Sequence, residues 1–231
     1  CNGLDTGITC NSGEGANTII EGLMIIGGDA PGGAGGGMHL FGSSPTVIDC
    51  HFEGNTAALS GGAVSAFGSE ATFDGCLFWN NTCDEDGGAL SLSFSTITMN
   101  DCDLWENVAA RGGAIWSASS TLDIDHTQLW DNEADGAFMA GGGAILALDS
   151  TLDLNEVTLN DNLCEPMNEG DAIRNTNVTM TMTNCSVDGE GPFSAEIYDE
   201  ASTTTMTGCT IINGGGLISA VYSREAVSYT H

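Results

Sequence analysis

Lysine is absent from this 231-residue chain, and its three cationic side chains are Arg111, Arg174 and Arg224. Against them stand 32 acidic residues, for a formal net charge of -29. A nucleic-acid partner is excluded, because a phosphate backbone is held by cations that this surface lacks. Polyuronate chains are disfavoured for the same reason, since carboxylates are gripped by Arg or Lys. Such a surface favours solubility and cation binding. Long apolar runs are also missing. No stretch approaches the roughly 20 residues of a membrane helix, so no transmembrane segment is expected here and any anchor would lie elsewhere. Cys1 to Asn17 is irregular and has no initiating Met, basic region or apolar signal stretch, so the beginning reads as cut.

What the chain does have is repetition. Cys50, Cys76, Cys102, Thr127 and Val157 each head a copy of one phrase, with an apolar residue two places on at Phe52, Phe78, Leu104, Leu129 and Leu159. Each copy then reaches an asparagine, Asn55, Asn81, Asn107, Asn132 or Asn162. A variable loop leads to GGAV at Gly61, GGAL at Gly87, GGAI at Gly112 and Gly142, and a degenerate GDAI at Gly170. The asparagines are spaced by 26, 26, 25 and 30 residues, the period of stacked supersecondary units.

Within Thr121 to Asn132 the apolar residues alternate at Leu122 and Ile124, which is strand periodicity. Aligning the copies makes columns such as Val47, Phe73, Met99, Ile124, Leu154, Met182 and Met206, or Val64, Leu90, Ile115, Ile145 and Ile173. A coil of about 25 residues cannot bury such stripes alone, so neighbours must stack. The expected fold is all-β: a right-handed, three-sided parallel β-helix of about eight coils, roughly 40 Å long at the parallel strand spacing. The matching asparagines form a ladder, tolerating left-handed backbone at a corner and bonding amide to amide. The paired glycines mark a corner where a Cβ would clash.

The nine cysteines are not a disulfide framework. Cys50, Cys76, Cys102, Cys185 and Cys209 share an inward column with Thr127 and Val157, as small core residues do, so mostly free thiols are expected. Cys1 and Cys10 lie outside it and could pair, whereas Cys83 and Cys164 share a loop column several coils apart. Residues 1–216 read as one β-helix domain with an irregular edge over 1–17, and 217–231 as a tail outside the repeat. Ala226 to His231 resembles a reading frame of a sequencing adapter, so Arg224 to His231 is set aside from fold reasoning.

The pairing of GGA-[ILV] with F-x-x-N, as in GGAV at Gly61 with FEGN at Phe52 and GGAL at Gly87 with FWNN at Phe78, resembles the repeats of the chlamydial polymorphic outer-membrane proteins. LWEN at Leu104, LWDN at Leu129 and LNDN at Leu159 are drifted copies. The resemblance covers about half the chain. It implies a β-helix passenger of a surface adhesin, at the outer membrane or exterior of a bacterium.

Trp79, Trp105 and Trp130 recur at one outward position and form a stripe that would stack sugar rings or a partner surface, unless a loop folds over it. Paired threonines such as Thr96 and Thr98 or Thr179 and Thr181 match an ice-binding array, but Thr is favoured on any solvated strand. Asp123, Asp125 and Asp153 fall on adjacent coils and offer a Ca²⁺ site or a solvated acidic face. Asp84, Glu85 and Asp86 offer another, or Arg111 pairs with Asp86. His126 beside Asp125 is a couple or a turn histidine.

The loops Glu133 to Gly141 and Leu163 to Glu169 are adjacent and longest, and Phe138 and Met139 expose apolar surface there. His39, His51 and His126 stand in different columns, and Arg111 and Arg174 are far apart in coil number, so no catalytic constellation converges. The expectation is a non-enzymatic extracellular or cell-surface adhesin or stalk, with no required cofactor, that recognises a glycan or protein on a host or neighbouring cell. The alternatives are a carbohydrate-active β-helix enzyme, a carbohydrate-binding module and, more remotely, an ice-binding protein.

Overall fold

The computed structural model describes residues 6–136, 141–165, 169–189, 195–213, 221–223 and 227–230. Its strands form four parallel sheets that run along one axis. Two sheets have nine strands each, the third has eight and the fourth has six. In a typical coil the first sheet takes Leu90–Ser93, the second Thr96–Asn100, the third Asp103–Trp105 and the fourth Val108–Arg111. The next coil repeats the order one strand spacing further along.

The inward columns hold as the alternation predicts. Val47, Phe73, Met99, Ile124, Leu154, Met182 and Met206 pair in register on the second sheet and are all buried. Val64, Leu90, Ile115, Ile145 and Ile173 do the same on the first. Phe52 stacks on Phe78 with centroids 4.9 Å apart, and Phe73 meets both edge-on. Side chains from three walls therefore interlock in the middle of the tube, which no single coil could arrange.

Three-sidedness is corrected by the fourth sheet. The segments after the ladder asparagines do not leave the coil at once: Thr56, Thr82, Val108, Glu133 and Leu163 stay in register. The next residues, Ala57, Cys83, Ala109, Ala134 and Cys164, turn inward and are buried. A small side chain every second residue is enough to hold a short strand against the tube. Variation in length starts only after it.

The asparagine ladder is present with one correction to its geometry. The Nδ2 amides of Asn55, Asn81, Asn107 and Asn132 donate to the Oδ1 of the next rung at 2.9 to 3.0 Å. The same oxygen accepts the backbone N–H of the preceding rung. The left-handed residue is the one before the asparagine: Asn80 (φ 53°), Glu106 (φ 53°), Asp131 (φ 52°) and Asp161 (φ 50°). That residue bends the chain, so the following side chain points into the tube, where all five ladder asparagines are buried.

A second ladder escaped the column alignment. Ser69, Ser95, Ser120 and Ser150 follow left-handed residues at another corner, and each hydroxyl accepts the backbone N–H of the serine one rung back. Gly87 and Gly88 show why the glycine pair is needed. Gly87 sits at φ +68°, and a Cβ on Gly88 would collide with the Gly113 carbonyl of the next coil.

Among the described residues every cysteine is a free thiol, Cys10 included, and Cys1 lies outside them. The tail is more regular than its letters. Val221–Ser223 pairs with Ile197 to Asp199, and Val227–Thr230 pairs with Thr204 to Thr207. Strand pairing runs through backbone N–H and C=O groups, so it can continue where the side-chain columns stop.

Replacing one ladder amide tests this account of the corner. Asn107→Ala leaves the buried N–H of Asn81 without its acceptor and the Phe78 carbonyl without its donor. The urea midpoint is expected to fall by the equivalent of about 3 kcal/mol at unchanged slope. An unaltered midpoint would show that the ladder does not hold the stack.

Candidate binding surfaces on the solenoid walls

The third sheet carries the tryptophan stripe. Trp79, Trp105 and Trp130 pair in register, all half-buried, with ring centroids 4.9 and 4.6 Å apart and planes within 10° of parallel. The Trp79 Nε1–H donates to Glu106 at 3.0 Å. Stacking covers both faces of Trp105. The stripe thus offers ring edges along its length, with Glu53 and Asn160 in register beside its two end rings.

The acidic candidates separate. Asp123 and Asp153 face outward on neighbouring strands of the second sheet. Burial first, then the charges of Asp153 and Asp125, raise the Asp123 carboxyl above its ordinary value. Asp125 instead accepts the Asn155 amide at 2.6 Å and pairs with His126 Nδ1 at 2.9 Å. These two hydrogen bonds lower its pKa. His126 Nε2 reaches Glu156 at 3.1 Å, and the pKa of His126 is raised by Asp125 first and then by Glu156. Arg111 pairs with Asp86 at 2.7 Å and with Glu85 at 3.3 Å, the alternative left open for that loop. Among the described residues no three Asp, Glu, His or Cys side chains are disposed to hold a metal ion. Phe138 and Met139 lie outside the described residues.

A further surface was not found from the repeats. On the first sheet the outward positions His39, Ser65, Ser91 and Trp116 pair in register across four coils and floor a cleft of about 410 Å³. One rim is aromatic: Phe41 stacks on Phe67 at 5.5 Å, and Phe94 meets Phe67 edge-on at 5.7 Å. The other rim is built from Ala34, Ser60 and Asp86, which bridge one another along the axis, with Leu59 beside them.

Two nitrogens of the floor residues, His39 Nδ1 and Trp116 Nε1, are buried beneath the surface without a hydrogen-bond partner among the described residues. Burial lowers the His39 pKa, so its ring is neutral near pH 7. Desolvation pushes Asp86 up to about 6, against the pull of Arg111. His39 and Asp86 stand two strands apart, about 10 Å by the parallel spacing, too far for direct proton exchange. The available signal was phenylalanine at the outward ends of successive first-sheet strands.

A third feature is internal. Glu196 precedes Ile197 where earlier coils have Ala63, Ala89, Ala114, Ala144 and Ala172, and it is fully buried with neither carboxylate oxygen partnered among the described residues. Burial first, then Asp171, Asp188 and Asp161, raises it from an ordinary 4.5 to about 7. A carboxyl that holds its proton more tightly when folded costs nothing below its unfolded pKa and its full penalty above its folded one. Stability is therefore expected to fall between about pH 4.5 and pH 7. Glu196→Ala should raise the melting temperature more at pH 8 than at pH 5, and an equal gain at both would remove Glu196 from the account.

No curated protein matches the chain. Among solved structures it is similar to full-length QnrB1, a plasmid-mediated fluoroquinolone resistance protein, at 14% identity over 90% of this chain and 94% of that one, with a TM-score of 0.29. At that score the likeness carries no argument about this protein. The family described as "Right handed beta helix region" matches residues 5–157. That stretch is where most of the asparagine and serine rungs lie, and by this match over more than half its length the chain belongs to the right-handed β-helix family.

Proposed function

We propose that this β-helix is a non-enzymatic protein of the bacterial exterior, a stalk or adhesin whose walls recognise a glycan or protein on a host or neighbouring cell. The observation that carries the reading is the aromatic surface turned to solvent on successive coils. Phe41, Phe67 and Phe94 are 53%, 44% and 66% exposed, and the tryptophan stack lies on a separate wall. Aromatic rows held by rigid strands are what recognition surfaces are made of, and their cost in side-chain entropy is small. The acidic surface keeps such a protein soluble and selects against polyanionic partners. The GGA-[ILV] and F-x-x-N pairing supports a closer kinship with the polymorphic outer-membrane adhesins.

A carbohydrate-active enzyme is the second reading, favoured by His39 and Asp86 lining one cleft. It predicts turnover on a glycan panel that His39→Ala abolishes.

Labelled protein added to candidate host or bacterial cells tests the first reading. Trp105→Ala and a deletion of residues 137–140 are each expected to reduce retention severalfold while leaving the β-sheet circular dichroism unchanged. Undiminished retention by both variants would refute this placement of the contact surface.

A further inference from the structure

We propose that Cys209 is a thiol-modification site, open to exchange with small disulfides, and that Cys185 in the neighbouring coil resolves the adduct into a disulfide between the two coils. This goes beyond the recognition reading and does not rest on it. Among the described residues Cys209 is the one cysteine that is not buried. It leads into Thr210–Asn213, the end strand of the third sheet among the described residues. Cys50, Cys76, Cys102 and Cys185 lead instead into strands with a neighbour on either side, and all four are buried.

Register brings the two sulfurs together. Thr183 pairs with Thr207 and Ser186 with Thr210, and the Thr210 N–H donates to the Cys185 carbonyl at 2.9 Å, so the cysteines between them are direct neighbours along the axis. Cys185 Sγ lies 3.4 Å from the Thr183 carbonyl and Cys209 Sγ 3.5 Å from that of Thr207, so both side chains take the same direction. Parallel strands are about 4.8 Å apart, inside the Cα range of a disulfide, whereas disulfide Cβ atoms stand about 3.8 Å apart. The pair must therefore close by about 1 Å. Cys76 and Cys102 share this column but are held at their spacing by coils packed on both sides. An end strand has one free side and can move.

The exchange balances with the small disulfide as sole oxidant. The Cys209 thiolate attacks one sulfur of R–S–S–R, which forms a mixed disulfide and releases one R–S⁻. The Cys185 thiolate then attacks Cys209 Sγ, forms the Cys185–Cys209 bond and releases the second R–S⁻. The two protein thiols lose two electrons, the reagent is reduced to two small thiols, and these take up the two protons. Burial pushes the Cys185 thiol up to about 11, so it is the resolving and not the attacking group. With a net charge of -29, a cationic disulfide is drawn to the surface and an anionic one repelled.

Cystamine, a cationic disulfide, added to the reduced whole chain tests this, followed by acid quenching, alkylation and peptide mass mapping. A peptide pair linked through Cys185 and Cys209 is expected, while Cys50, Cys76 and Cys102 remain open to alkylation once the chain is unfolded. The link should form at least about tenfold faster than with oxidised glutathione, which is anionic. Cys185→Val places in the column the residue that Val157 already supplies one coil earlier, and it is expected to stop the reaction at a lasting cysteamine adduct on Cys209. Cys209→Ser, checked by circular dichroism, should abolish both products. No reaction at Cys209, a lasting adduct there in the unsubstituted chain, a Cys76–Cys102 link formed as fast, or equal rates with the two reagents overturns the assignment.

Discussion

A tube of parallel strands has to bury a backbone N–H at every corner, on the inside, where neither water nor an adjacent strand supplies an acceptor. Here the acceptor is a side chain from the next coil. Asn81 Oδ1 takes the N–H of Asn55, Ser95 Oγ takes that of Ser69, and Thr127 Oγ1 takes that of Cys102. The same asparagine amides reach back to carbonyls of the preceding coil, as Asn81 does to Phe52. Each rung is therefore satisfied only when a rung lies on either side. That requirement, more than the apolar contact alone, sets the register, because a slip by one residue would strand several buried polar groups at once.

The corner residues follow from the same constraint. One residue per corner adopts the left-handed region, and it is often Asp, Asn or Gly, although Glu106, Phe94 and Ala201 are accepted. These positions face solvent, and Asp49, Asp101, Glu106, Asp131, Asp149, Glu156 and Asp161 stand there. Beside one such corner, Asp125 hydrogen-bonds Asn155 and the left-handed His126. Where the ladder gives out, charge appears inside: Asp171 is buried and raised to about 6, close to the buried Glu196. The C-terminal coils thus add their own pH dependence to that of Asp86 in the middle of the stack.

The walls differ because outward side chains do not share that constraint. The tryptophan column was visible as a repeat and is in place, yet only coordinates show that the rings stack so closely that their faces cover one another. The cleft was invisible for a complementary reason. Its floor pairs a histidine, two serines and a tryptophan, three unlike letters over four positions that no column search would join. The fourth sheet hid in the same way, behind small residues at the start of loops of unequal length.

From letters alone came the coil, its period, the inward columns, the asparagine rungs and the preference for free thiols. All of these are properties of identical residues meeting along an axis, which spacing records directly. Tertiary structure alone decided which residue takes the left-handed turn, that a serine ladder braces a second corner, and that His39 and Trp116 end up on one floor. Those depend on how separate walls fold toward each other across the tube, and distance between walls leaves no trace in a one-dimensional repeat.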